Sequence, residues 1–161
     1  MIGIMSTIED LAHLDLQPLA NIPLKKLRQN ATRLHGVCRY NPGVDKKREG
    51  LNPTDVKEVA IHPESLNDEW LRYAEFLLFH EFLHALGHSG HNRIFRTLEE
   101  QWPDNEAKNM GREFAKHLRK RNAKYAWTCP KCDWKTERTM KSSGRYLCRT
   151  CRVKLVDKIL A

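Results

Sequence analysis

The segment Leu77-Leu78-Phe79-His80-Glu81-Phe82-Leu83-His84-Ala85-Leu86-Gly87 constrains this chain most, because it reads as a buried helix that also holds three ionisable groups. Apolar residues lie nearly all round its helical repeat, which marks a core element. Positions i and i+4 share a helix face one turn apart, so His80 and His84 can aim both imidazoles at one ion, with Glu81 beside them. Neutral imidazoles leave a zinc ion its positive charge and an open position, where a bound water is acidified towards ~7 and an adjacent carboxylate can take its proton. Glu81 is the expected base of a hydrolytic zinc site. The plainer alternative, histidines capped by water, would leave a carboxylate unpaired among Phe79, Phe82, Leu83, Ala85 and Leu86, which is costly.

A third ligand is needed. His88 continues the same face but lies ~12 Å along the axis from His80, too far to share an ion with it on an unbroken helix. Gly87 and Gly90 offer a helix stop and a reversal that would fold His91 back towards the pair. His91 is therefore expected. Glu100 is the competing choice, since with Asp104 it resembles the Glu-x-x-x-Asp of thermolysin-like enzymes, although Trp102-Pro103 interrupts that helix. The extended metzincin pattern requires a histidine where this chain has Gly90, which excludes it.

The second metal signal is Cys129-Pro130-Lys131-Cys132 with Cys148-Arg149-Thr150-Cys151. Its spacing is that of a four-thiolate structural zinc folding a β-ribbon too small to hold itself together, and no strand-helix redox scaffold surrounds the pairs. Cys38 stands alone, and the cysteine pattern as a whole suits a reducing compartment. No apolar stretch approaches the ~20 residues of a membrane span, and the start Met1-Ile2-Gly3-Ile4-Met5-Ser6 lacks the regions of a signal peptide. The expectation is a soluble, intracellular monomer of the cytoplasm and nucleoid, or of a nucleus.

Charge is unevenly divided: residues 105–161 hold 16 Lys/Arg against 5 Asp/Glu, net +11, which leaves −3 on residues 1–104 of the total +8. So basic a segment attracts polyanions, nucleic acid above all, although a merely solubilising surface is the alternative. The expected contacts are Lys116, Arg119, Lys120, Arg121 and Lys124 on a basic helix, then Trp134, Lys135, Arg138, Lys141, Arg145 and Tyr146 in the ribbon, where aromatics alternate with cations. Trp127 belongs to the same aromatic group, and some of these rings must form the module's own core.

Along the rest of the chain, Ser6-Thr7-Ile8-Glu9 reads as a capping box, and Leu24, Leu27, Ala31 and Leu34 predict an amphipathic helix over 23–34. Strands are expected over 34–40 and 56–61, joined by a charged loop and packed on the His80 helix, which Asn67-Asp68-Glu69 opens. Ile94, Phe95 and Leu98 predict a short helix ending near Trp102-Pro103, and Ala107, Met110, Phe114 and Leu118 stripe a longer one.

With these motifs in place the chain resembles the SprT-like family, the group that includes Spartan. The resemblance rests on Gly36-Val37-Cys38-Arg39-Tyr40, on His80-Glu81-Phe82-Leu83-His84, on His91-Asn92-Arg93-Ile94-Phe95 and on the four-cysteine ribbon, in that order. In that family a histidine followed four residues later by an aromatic supplies the third ligand, as His91 and Phe95 would; Gly-Pro often follows that histidine, where this chain has Asn92-Arg93. The motif is also similar to those of WLM-type proteases and of a small bacterial phosphohydrolase-like group. The resemblance implies an α+β chain: residues 1–124 a small zincin-like metalloprotease core with a short sheet on the His-Glu-x-x-His helix, ending in the basic helix, and residues 125–161 a zinc ribbon. It implies two zinc ions, a catalytic one on His80, His84 and His91 and a structural one on Cys129, Cys132, Cys148 and Cys151. It also implies an endopeptidase acting on DNA-associated or DNA-crosslinked proteins and stimulated by single-stranded or distorted DNA. A non-proteolytic nucleic-acid-binding factor and a hydrolase of small phosphorylated substrates are the alternatives.

Overall fold

A computed structural model describes residues 1–160, and among them the chain is α+β, divided into two compact units at Arg112/Glu113. The division falls inside a helix, N-terminal to the 124/125 boundary expected from the motifs.

The first unit is built on β3 (Val56–Ile61), the centre of a three-stranded sheet in the order β1-β3-β2. The strand β2 (Gly36–Tyr40) runs antiparallel to it, with a register shift at Arg39/Tyr40, and β1 (Leu24–Lys26) runs parallel on its other edge. Val59 and Ala60 are fully buried, as befits a central strand. The sheet packs on α2 (Leu71–Ala85), whose Phe79 and Leu83 are fully buried. A single 3-10 turn, Asp68–Trp70, leads into α2 and sets Asp68 and Glu69 ahead of its first turn, where carboxylates complement the helix dipole.

Residues 23–34 depart from expectation. They form β1 and a loop, not an amphipathic helix, and of the supposed apolar stripe Leu24 and Leu34 are exposed while Leu27 is buried. The second edge of β3 would otherwise carry unpaired backbone groups; instead Val59 N–H donates to Pro23 O at 3.0 Å and Leu27 N–H to Ile61 O at 2.9 Å. Those pairings outweigh a weak local helix preference. Nor does Ser6 open a helix: it follows the short α1 (Ile2–Met5), and its Oγ donates back to Gly3 O at 2.9 Å.

After α2 come α3 (Arg93–Glu100) and α4 (Asn105–Arg121). Phe95 and Leu98 of α3 are buried as expected, but Ile94 is exposed. Asp104 caps α4, its Oδ1 accepting from Glu106 N–H and Ala107 N–H, and forms a bidentate pair with Arg72 at 2.6 Å.

The second unit comprises the C-terminal part of α4 and an antiparallel sheet in the order β5-β4-β6, from β4 (Tyr125–Thr128), β5 (Lys135–Arg138) and β6 (Val156–Ile159). Cys129, Cys148 and Leu155 form a core cluster here, with Trp127, Cys132, Cys151 and Val153 packed round it. No helix of the described residues is long and apolar enough to cross a membrane.

Candidate functional site

Helix α2 fixes two of the three imidazoles, and the way it stops supplies the third. Gly87 adopts φ +102°, a conformation that suits glycine, while His88 N–H bonds to Leu83 O and Gly87 N–H to His84 O. This is a Schellman stop, and it reverses the chain. Gly90 takes no left-handed conformation, so the reversal belongs to Gly87 alone. Asn92 then caps α3, its Oδ1 accepting from Phe95 N–H at 3.0 Å, and His91 just ahead of the cap faces α2. The Asn92 position, where Gly-Pro is common in the family resembled, thus serves as a helix start.

His91 Nε2 lies 3.1 Å from His80 Nε2 and 3.2 Å from His84 Nε2. Nitrogen donors on a tetrahedral ion at ~2.0–2.1 Å stand roughly 3.3–3.4 Å apart, close to this spacing. The hydrogen bonds at the opposite ring nitrogens explain why a cation fits. His80 Nδ1 contacts Glu99 Oε1 at 2.7 Å and His84 Nδ1 contacts the His88 carbonyl at 2.6 Å. Those acceptors require N–H at Nδ1, so both Nε2 atoms present lone pairs to one point. Burial also lowers His84 to about 4, which keeps that ring neutral at ordinary pH, and pushes His91 down. His80, His84 and His91 form a group able to hold a metal ion. Phe95, fully buried, lies under all three rings with centroid distances of 4.7–4.9 Å.

His88 thus contributes its carbonyl and not its ring. Glu100 and Asp104 do not join the imidazoles; the neighbouring Glu99 does, through His80. Glu99 is almost fully buried, and its Oε2 also accepts ion pairs from Arg96 and Lys108, each at 2.8 Å. Burial alone would raise its carboxyl, but the bonds from His80, Lys108 and Arg96 outweigh that and hold it well below the usual carboxylate range. Sequence reasoning missed Glu99, because its spacing from His80 has no fixed signature. Glu99→Gln is expected to weaken metal binding at the imidazoles by about 10–100-fold, measured by chelator competition, while the fold persists. Unchanged affinity would remove Glu99 from the site.

Glu81 packs against β2 in a cleft of about 250 Å³, lined also by Gly36, Cys38, Tyr40, Lys46 and the three histidines. It is 5% exposed. Burial pushes its carboxyl up to about 7, against the pull of His80 and of a hydrogen bond from Cys38 N–H. A carboxylate so placed is poised to gain and lose a proton near neutrality. Burial and nearby Glu81 push the Cys38 thiol up to about 12, so it stays neutral, and Tyr40 Oη donates to His84 O at 2.7 Å, tying β2 to α2. Gly36 has no room for a side chain: an added Cβ would meet Glu81 Oε1 at 2.6 Å. Gly36→Ala should therefore swing Glu81 aside, keeping metal affinity while lowering turnover by about 10-fold or more, since general acid–base catalysis depends on position. Equal loss of metal and turnover would instead mean general disruption.

In the second unit the Sγ atoms of Cys129, Cys132, Cys148 and Cys151 all lie within 4.8 Å of one another. Cys132 and Cys148 are 3.8 Å apart, the separation that ~2.3 Å sulfur bonds to a tetrahedral ion would give. Lys131 N–H donates to Cys129 Sγ, and the backbone amides of Cys151 and Thr150 draw the Cys148 thiol down to about 7. These four residues too could hold a metal ion.

Of the expected nucleic-acid contacts, Lys116, Arg119, Lys120, Lys135 and Arg138 line one groove of the second unit, whereas Arg121, Lys124, Trp134, Lys141, Arg145 and Tyr146 are not among its lining residues. Tyr146 stacks on Trp127 at 4.5 Å, and Lys141 Nζ sits over the Tyr125 ring at 5.7 Å.

No protein-family model matches the chain, and no curated protein or solved structure matches it significantly.

Proposed function

We propose that the protein is a zinc-dependent endopeptidase acting on proteins bound or crosslinked to nucleic acid. The observation that carries the reading is the convergence of three imidazole Nε2 atoms beside a buried carboxylate in an open cleft. His80, His84 and His91 would hold zinc through Nε2, with Glu99 and the His88 carbonyl fixing the tautomers of the first two. When bound, the ion supplies a Lewis acid that acidifies water and polarises a carbonyl. Glu81 takes the water's proton on a carboxylate oxygen and returns it to the leaving amine.

The strand β2 supports a polypeptide substrate. Within its sheet it pairs on one side only, with β3, and it also lines the cleft. An extended peptide laid along that edge is held by backbone groups, so cleavage should tolerate many sequences. Recruitment by nucleic acid rests on the +11 net charge of residues 105–161, from 16 Lys/Arg and 5 Asp/Glu. The resemblance to the SprT-like family points the same way. Lys46, the one lysine lining the cleft, favours a second reading, hydrolysis of a small phosphorylated substrate.

The test is the cleavage rate of a DNA-binding protein such as a histone against DNA concentration at fixed salt. A rate that rises with DNA is expected. Equal rates at zero and saturating DNA would overturn recruitment by nucleic acid, and hydrolysis of a phosphate ester with no protein cleavage would favour the second reading.

A further inference from the structure

We infer that the groove between the C-terminal half of α4 and the β5-β4-β6 sheet is the nucleic-acid site, and that it grips the phosphate backbone without stacking on bases. The inference deepens the recruitment proposed above and rests on that reading. The groove encloses about 700 Å³ and receives Lys116, Arg119 and Lys120 from α4, Lys135 and Arg138 from β5, and Lys158 from β6. Glu137 is the one acidic residue lining it. Residues three and four apart on a helix are ~5–6 Å neighbours, so the α4 cations form a single row facing those of the sheet.

Two features separate this groove from an ordinary solvated surface. The first is that its cations are not matched by carboxylates. Among the described residues Lys116 reaches Glu113 only at 3.9 Å, in an exposed pair, and no ion pair involves Arg119, Lys120, Lys135 or Lys158. Asp157, which precedes Lys158, is held elsewhere: its two carboxylate oxygens accept from Ser142 N–H at 2.6 Å and Ser143 N–H at 2.9 Å. Successive strand residues point to opposite faces, so this bonding accompanies the turning of Lys158 into the groove. Four cations with no acid of their own are a standing site for a polyanion.

The second feature is the absence of aromatic side chains from the groove's lining. Trp127 is engaged within the ribbon: one contact is the Tyr146 ring, another is the Arg138 guanidinium at 5.2 Å, and its Nε1–H donates to Met140 O. Trp134 and Tyr146 are exposed outside the groove. Backbone contacts without stacking give affinity that depends on salt and hardly on sequence. The aromatic contacts expected from the sequence are thus replaced by Lys158, which the sequence reading did not select.

The experiment measures binding of a fluorescein-labelled single-stranded oligonucleotide, and of its duplex, to the zinc-loaded full chain across a salt series. The double variant Lys135→Ala/Lys158→Ala should reduce the log–log salt slope by about 1.4–1.8, at ~0.7–0.9 per phosphate contact, and weaken all sequences alike. Trp134→Ala should leave affinity within about twofold, whereas loss of a base stack would weaken it by roughly 5–150-fold. Zinc content checks that each variant is folded. A double variant with an unchanged slope, or Trp134→Ala carrying the larger loss, overturns the groove while leaving recruitment intact. Failure of the wild-type chain to bind either oligonucleotide overturns both. Tighter binding of polyglutamate or of anionic lipid vesicles at the same ionic strength assigns the groove to another polyanion and overturns the inference.

Discussion

Replacing Cys148 with serine is expected to unfold the C-terminal ribbon and to halve the bound metal, from two ions per chain to one. Strands β4, β5 and β6 are four residues each, and the core cluster they cover is built on Cys129, Cys148 and Leu155. So small a module cannot bury enough apolar surface to offset its chain entropy, whereas a structural zinc site supplies ~10–16 kcal/mol of apparent binding energy. Cys148 is the most buried of the four thiols, at 1% exposure, and its loss would remove one of the four sulfurs able to hold an ion. Backbone amide signals from 125–160 should collapse towards unfolded positions while those of α2 and β3 remain. His84→Ala should do the reverse, losing one ion with the ribbon intact. Metal analysis giving one ion per wild-type chain, or a Cys148→Ser chain that keeps two and stays folded, would contradict the assignment.

Glu81→Gln is expected to keep its metal and lose cleavage by at least ~10²-fold, the usual size of a general acid–base contribution. Glutamine has nearly the same shape and can still accept the Cys38 N–H bond, so the cleft should be preserved. What it lacks is the ability to take a proton. The nitrogens that would hold the ion belong to His80, His84 and His91, and the tautomers of the first two are set by Glu99 and the His88 carbonyl, not by Glu81. Loss of metal in this variant, or cleavage within about twofold of wild type, would return Glu81 to a structural role.

How much of this was legible beforehand depended on whether the signal was local. The strand at Val56–Ile61 and the stop at Gly87 were read from their own residues, because a strand bounded by Pro63 and a glycine after a helix are decided within a few positions. The third imidazole was legible too, since the reversal that delivers it is encoded by Gly87. The helix expected over 23–34 failed because β1 is decided by a partner some thirty-five residues away, Leu24 pairing with Val59. Glu99 was invisible for a related reason. Its contact with His80 arises from α3 packing against α2, and the alternative carboxylate at Glu100 differs from it by one position, enough to turn a side chain from His80 to solvent. In the basic segment, charge counted along the chain located the cations but not which of them face one another. Folding placed Lys158 with Lys135 and left Trp134 outside.

Hydrolysis of a peptide bond by the three imidazoles and Glu81 can be followed on a DNA-bound histone with the zinc-loaded chain in heavy-oxygen water. New peptide fragments are expected whose new C-terminal carboxylates carry one heavy oxygen, formed with zinc present and abolished by chelation. An intact histone after prolonged incubation with fully zinc-loaded protein and DNA would contradict such hydrolysis.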